Sequence, residues 1–194
     1  MSTIVVVAKD GYAAIAADTL TTWGSSKEGA EYFLGQDKII QVGASYVAIS
    51  GPTSAKFALK RYFHSKPDTD LTNTDAIFQA WLGLHSALKK EFFLNPREHE
   101  SEAFESSGID VLIANPAGIF GVSAHRAVQQ FSKFYAYGSG SPIAMGAMYA
   151  AYSQAGSSAE EIAKRAIEAA AEFDLDTGMP LVCYTLRLMP DRSD

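Results

Sequence analysis

The chain is poor in the residues that would tie it to several large classes of function. A single cysteine, Cys183, stands among 194 residues. That excludes an intrachain disulfide and fits a reducing compartment. Cys183 sits in the apolar run Leu181-Val182-Cys183-Tyr184, where a core residue is expected rather than a nucleophile. Positive charge is scarce: 16 Lys and Arg against 22 Asp and Glu leave a net charge of −6. With no basic run, nucleic acid is not expected as the main partner. No apolar stretch is long enough to span a membrane, and there is no internal repeat or low-complexity tract. The glycine-rich turn near Gly138 lacks the lysine and spacing of a phosphate-binding loop. The first residues lack a basic region followed by a small-residue cleavage site, so a signal peptide is not expected. What is present is a composition of 47% hydrophobic and 20% charged residues, ordinary for a globular protein. The length predicts one domain over residues 1–194 with a sizeable core.

The start of the chain organises the rest. Ile4-Val5-Val6-Val7 is a β-branched run that suits a buried strand. Asp10-Gly11 is a hairpin turn signal, and Tyr12 to Ala17 returns as a second strand ending on Asp18. Residues 25–35 read as an irregular loop. A second hairpin follows over Asp37–Val42 and Ser45–Ser50, broken by Gly51-Pro52. Helical spacing covers Thr53–Phe63 and Asn73–Phe93, the latter capped by Asn73 or Thr74. A third hairpin turns at Asn115-Pro116, and Ala127–Tyr137 reads as one further strand-like stretch. A helix is expected over Ile143–Gln154. Another begins at the Ser158/Glu161 capping box and ends near Phe173. Leu181–Leu188 closes as a strand. Strands, two helices, strands, two helices and a strand predict an α+β protein with antiparallel sheets. Near-continuous apolar strands need cover on both faces, which gives a four-layer αββα sandwich.

Two local features bear on chemistry. Ser2 follows the initiator methionine, and removal of Met1 would leave a free α-amine beside the Ser2 hydroxyl. Such an amine titrates near ~7.7–8.0 and can act as a base for its own hydroxyl. The polar stretch Asn95–Ser107 holds Glu98, His99, Glu100, Glu102 and Glu105, but its spacing matches no metal motif. A solvated loop is the better reading, and neither a metal nor another cofactor is expected.

Further segments carry a resemblance. Thr3-Ile4-Val5 behind Ser2, Ala17-Asp18, Thr22-Trp23-Gly24, Asp37-Lys38-Ile39, Ser50-Gly51, Gly138-Ser139-Gly140-Ser141-Pro142 and Asp174 with Thr177-Gly178 occur in the order of the proteasome-type β subunits. The chain resembles that branch of the N-terminal-nucleophile hydrolases, and HslV and bacterial proteasome homologues in particular, over nearly its whole length. The resemblance implies an αββα fold and a peptidase acting through Ser2. Lys38 would lower the pKa of the nucleophile, Asp18 would orient Lys38, and the Gly51 N–H would serve the oxyanion. Ser139 would hold a proton-relaying water, with Asp174 and Thr177 supporting Ser139 and the N-terminus. Thr22 would align substrate. Ile49 and Thr53 would line the pocket for the residue before the cut, giving an apolar preference. Lys27 is a rival to Lys38, set aside because Ile39-Ile40 continue a strand behind Lys38. Thr3 is the adjacent alternative to Ser2, set aside because its side chain points to the opposite strand face.

The resemblance further implies two stacked rings of six or seven identical subunits in the cytoplasm. Unfolded proteins or peptides would be the substrates, and an ATP-dependent unfoldase a partner. The family's usual threonine is here replaced by Ser2. The alternative is an inactive ring subunit with a structural or binding role.

Overall fold

The computed structural model describes residues 2–96 and 103–190. The first strand, β1 (Thr3–Lys9), pairs antiparallel with β2 (Tyr12–Asp18) around the expected Asp10-Gly11 turn. On its other side β1 pairs with β10 (Phe134–Gly138), and β2 pairs with β11 (Leu181–Arg187). The resulting four-stranded sheet has the order β10-β1-β2-β11. A five-stranded antiparallel sheet runs in chain order through β5 (Ile39–Val42), β6 (Ser45–Ser50), β7 (Asp110–Asn115), β8 (Gly118–Val122) and β9 (Val128–Phe131).

Among the described residues, four α-helices cover these sheets. Helices α1 (Thr53–His64) and α2 (Thr74–Lys90) lie on the five-stranded sheet, and α3 (Ser141–Tyr152) and α4 (Ala159–Phe173) on the four-stranded one. Side-chain alternation along the strands sorts the core into three apolar layers. Val5, Val7, Ala14 and Ala16 face Met148, Ile162, Ala166 and Ile167 of α3 and α4. Ile4, Val6, Ala13 and Ile15, one residue out of phase, face Ile39, Ala48, Leu112 and Ile119 of the opposite sheet. Val47, Ile49, Val111 and Ile113 face Leu59, Trp81 and Leu84 of α1 and α2. This is the αββα sandwich, and it explains why strands such as β1, β2 and β7 read as unbroken apolar runs: both of their faces are buried.

The element boundaries follow local chemistry. Asn73 caps α2 by accepting from the Ala76 N–H at 2.9 Å, and the Ser158/Glu161 capping box is present at α4. Four expectations need correction. Helix α2 ends at Lys90 rather than near Phe93, which takes a positive φ of 55°, as the chain turns back with Leu94 N–H on the Leu88 carbonyl. The helix expected over Ile143–Gln154 starts two residues earlier, because Pro142 fits the first helical turn, where an N–H has no intrahelical partner. The stretch Ala127–Tyr137 is two strands, not one. The chain leaves the five-stranded sheet after Phe131 and enters the four-stranded sheet at Phe134, where the Lys133 carbonyl accepts from Ala8 N–H. The segment 25–35, expected to be irregular, contains the short strand β4 (Ser26–Glu28), which pairs with β3 (Thr21–Trp23) just before it.

Candidate active site

The mouth of the site is the end of β1 where Ser2 lies. Ser2 is only 4% exposed, and its carbonyl accepts from the Ser139 N–H at 3.0 Å. That docking requires glycine at position 138. Gly138 has a φ of 102°, and a Cβ there would fall 1.7 Å from the Ser2 carbonyl oxygen. The Gly138-Ser139-Gly140 turn is therefore a cradle for the first described residue, shaped by backbone contact.

Beside Ser2 lies a fully buried carboxylate. Asp18, at the end of β2, takes four donors: Thr3 N–H at 2.9 Å, Leu20 N–H at 3.1 Å, Gly178 N–H at 3.2 Å and Lys38 Nζ at 2.7 Å. Lys38 also donates to the Leu20 carbonyl at 2.7 Å. Burial pulls the Lys38 ammonium below the ordinary lysine range and pushes the Asp18 carboxyl above the ordinary carboxylate range, with each partner's charge opposing the effect. Four donors on Asp18 keep its ionised form satisfied. A buried, paired and perturbed lysine lining the same cleft as Ser2 is the kind of group found at reactive sites.

Behind the chain start runs a hydroxyl chain. Ser139 Oγ donates to Asp174 Oδ2 at 2.7 Å, and Thr177 Oγ1 donates to the same oxygen at 2.5 Å. Thr3 Oγ1 lies 2.6 Å from Thr177 Oγ1 and accepts from the Gly140 N–H at 3.1 Å. Because the one Thr177 proton is committed to Asp174, Thr3 is the donor to Thr177. The Thr3 hydroxyl is thus consumed in structure and fully buried, as its strand face predicts.

A narrow cleft of about 50 Å³ collects the rest. Ser2, Thr22, Lys38, Ile49, Gly51 and Thr53 all line it, together with Leu20, Thr21, Gln36, Pro52 and Lys56. Six sequence-predicted residues thus meet in one cleft. Asp18 sits behind Lys38, and Ser139, Asp174 and Thr177 sit behind Ser2 and Thr3. Thr22 Oγ1 donates to Asp176 Oδ1 at 2.9 Å, tying β3 to the loop before β11. Lys27 lies exposed on β4 and does not line the cleft. Gly51 has a φ of 157°, and a Cβ there would press to 3.0 Å on the Gly108 carbonyl oxygen.

The solved structures of BPH from Thiobacillus denitrificans, alone and in complex with epoxomicin, are 52% identical to this chain. They cover 97% of this chain and 100% of their own, with TM-scores of 0.93 and 0.91 respectively. The chain belongs to the proteasome-type β-subunit family. A eukaryotic HslV from Trypanosoma brucei shares the fold of this proteasome-type subunit at 17% identity and a TM-score of 0.68, covering 95% of this chain and 99% of its own. No family model and no curated relative matches.

Sequence reasoning does not single out Lys56 or Gln36 of this β subunit. Lys56 had a usable signal, because it stands three residues after Thr53 on α1 and so shares its face. Its Nζ donates to the carbonyls of Gly35 at 2.6 Å and Asp37 at 2.9 Å, which fixes the wall of the cleft. Cys183 is half-buried, and burial pushes its thiol up to about 11, which makes it a poor nucleophile. Of the acidic stretch weighed as a metal site, Glu98, His99, Glu100 and Glu102 lie outside the described residues, as does Met1. Glu105 is paired with Lys89 at 2.6 Å and His85 at 3.0 Å. Among the described residues no cluster of metal-ligating side chains forms, and no helix is long and apolar enough to cross a membrane.

Proposed function

We propose that this proteasome-type subunit is a peptidase whose nucleophile is Ser2, freed by removal of Met1. The observation that carries the reading is that Ser2 and Lys38 line one cleft, with Asp18 buried behind Lys38 and paired to it at 2.7 Å. In this mechanism the Ser2 hydroxyl attacks the scissile carbonyl carbon and passes its proton to its own α-amine, directly or through a water at Ser139. The Lys38 charge favours the ionised hydroxyl and a free amine at neutral pH. Asp18 keeps the ammonium in place. The Gly51 N–H donates to the oxyanion of the tetrahedral intermediate. Collapse expels the amine leaving group, which takes the proton back from the α-amine, and leaves an ester on Ser2. Water then hydrolyses that ester by the same steps. Asp174 and Thr177 hold Ser139 and Thr3, and through them the start of β1. Thr22 aligns the bound strand, while Ile49 and Thr53 meet the side chain before the cut.

The epoxomicin complex of BPH, a protein 52% identical, supports a shared reactive centre. The reading extends to residues 1–194 working as one domain, assembled with identical copies in two stacked six- or seven-membered rings in the cytoplasm. Unfolded proteins or peptides are the substrates, delivered with or without an ATP-dependent unfoldase.

The test is the intact mass of the purified protein before and after reaction with epoxomicin or a peptide β-lactone. A mass lacking Met1 and a single adduct mapped to Ser2 are expected. Retained Met1 with no adduct would replace this reading with that of an inactive ring subunit.

A further inference from the structure

Lys38 does not lie within a strand. It is the residue before β5, and its ammonium has to reach two oxygens, each at 2.7 Å. Its backbone is held on one side by the Ile49 N–H, which donates to the Lys38 carbonyl at 3.0 Å. On the other side everything converges on Asp37. One Asp37 carboxylate oxygen accepts from the Ile39 N–H at 2.8 Å, and the other accepts from the Tyr184 hydroxyl at 2.8 Å. The Asp37 carbonyl accepts from Lys56 of α1. Tyr184 belongs to β11 in the four-stranded sheet, yet its ring stacks on Tyr46 of the five-stranded sheet, with centroids 4.6 Å apart and planes 10° apart. The Tyr184 hydroxyl thus crosses from one sheet to the segment carrying Lys38.

We infer that Tyr184 and Asp37 are positioning residues for Lys38, a brace that sets where its ammonium stands against Asp18 and Leu20. The inference rests on Lys38 acting in the proposed reaction, but it can be read on Lys38 itself. Asp18 and Asp176 oppose, and Lys56 reinforces, the lowering of the Lys38 pKa by burial. The contacts of Asp37 run to Ile39, Tyr184 and Lys56, on either side of Lys38, which is the route by which it sets geometry. The hydrogen bond to Asp37, with burial adding to it, pushes the Tyr184 hydroxyl up to about 12.

The experiment pairs two variants. Tyr184→Phe removes the hydroxyl and keeps the ring stack. Asp37→Asn keeps an oxygen for Ile39 N–H and offers an N–H to the Tyr184 oxygen, so it preserves the brace while deleting the charge. The first measurement is acetylation of Lys38 against pH in the assembled protein, followed by mass spectrometry, which gives its titration midpoint. The second is the rate of epoxomicin adduct formation on Ser2. In Tyr184→Phe the Lys38 midpoint is expected to rise by about half to one pH unit as the ammonium gains water. The adduct rate is expected to fall about tenfold. In Asp37→Asn the midpoint should stay within about 0.3 pH unit and the adduct rate within about twofold of wild type, since the geometry is kept. A purely structural tie would lower thermal stability and leave the Lys38 midpoint unmoved, and that result overturns the inference. An Asp37→Asn variant as impaired as Tyr184→Phe also overturns it, because charge and not geometry would then be at work. If wild type forms no adduct while the Lys38 midpoint still moves in Tyr184→Phe, the peptidase reading fails and the brace stands.

Discussion

Asp18→Asn is the sharpest perturbation of this site. The native carboxylate gives each of its two oxygens two donors, with Thr3 N–H and Lys38 Nζ on Oδ1, and Leu20 N–H and Gly178 N–H on Oδ2. Asparagine has nearly the same shape but only one acceptor oxygen. Whichever way the amide turns, its NH2 faces two donors that nothing now accepts. The ammonium of Lys38 also loses its contacting counter-charge among the described residues while remaining nine-tenths buried, with a side-chain exposure of 12%. Removing one partner of a buried ion pair costs about 3–5 kcal/mol. With a urea dependence of about 3 kcal/mol per molar for a chain of this size, the unfolding midpoint should fall by about 1–1.7 M.

The cycle with Lys38→Met tests the cause. Lys38→Met leaves Asp18 with three backbone N–H donors, so it should cost less than Asp18→Asn. Adding Lys38→Met to Asp18→Asn removes the stranded ammonium, so the double variant should be more stable than the sum of the single losses by about 2 kcal/mol. The assay is urea unfolding at one fixed protein concentration, because association shifts apparent stability. Both Asp18→Asn and the double variant should also lose Ser2 adduct formation, which separates rescue of the fold from rescue of the chemistry. Simple additivity, or a loss under about 1 kcal/mol for Asp18→Asn, refutes the argument that this pair is buried and mutually dependent.

The other expectations are simpler. Gly138→Ala would place a Cβ 1.7 Å from the Ser2 carbonyl oxygen at a φ of 102°. The chain start must shift, so adduct formation at Ser2 should be abolished while circular dichroism stays native-like; unimpaired labelling would deny the cradle its role. The adduct rate of wild type should fall on the alkaline side as Lys38 loses its proton, at a pH below the ordinary lysine value of 10.5 because burial lowers it. Lys38→Arg, which keeps its charge, should lack that limb, and an identical limb in both would assign it elsewhere. Ser2→Thr restores a χ1 restraint on the nucleophile and should react faster with a β-lactone; no gain in rate would show that the restraint is unimportant here. Leucine ahead of the cut should be preferred over aspartate in peptide libraries, given Leu20, Ile49 and Pro52 in the cleft. Cleavage confined to acidic positions would remove Ile49 and Thr53 from that pocket.

What the sequence reveals and what it hides divide along a physical line. The sandwich was legible because burial on both faces forces unbroken β-branched runs such as Ile4-Val5-Val6-Val7, and because caps such as Asn73 and the Ser158/Glu161 box act within three residues. Ser2, Asp18 and Lys38 were legible through their order along the chain. What escaped depends on contacts between distant segments. The break between β9 and β10 has no local breaker, since Ser132-Lys133 is fixed only by the strand each half joins. The hydroxyl chain from Thr3 through Thr177 to Asp174 spans nearly the whole chain. Tyr184 and Asp37 lie 147 positions apart, and nothing around either residue marks it as more than a strand aromatic and a strand-end acid. Lys56 is the intermediate case. Its place on the Thr53 face follows from helix geometry, but its grip on Gly35 and Asp37 depends on how the loop before β5 returns to α1. The residues proposed to do chemistry can thus be ordered from the chain alone, whereas those that hold them in register emerge only when the two sheets are packed.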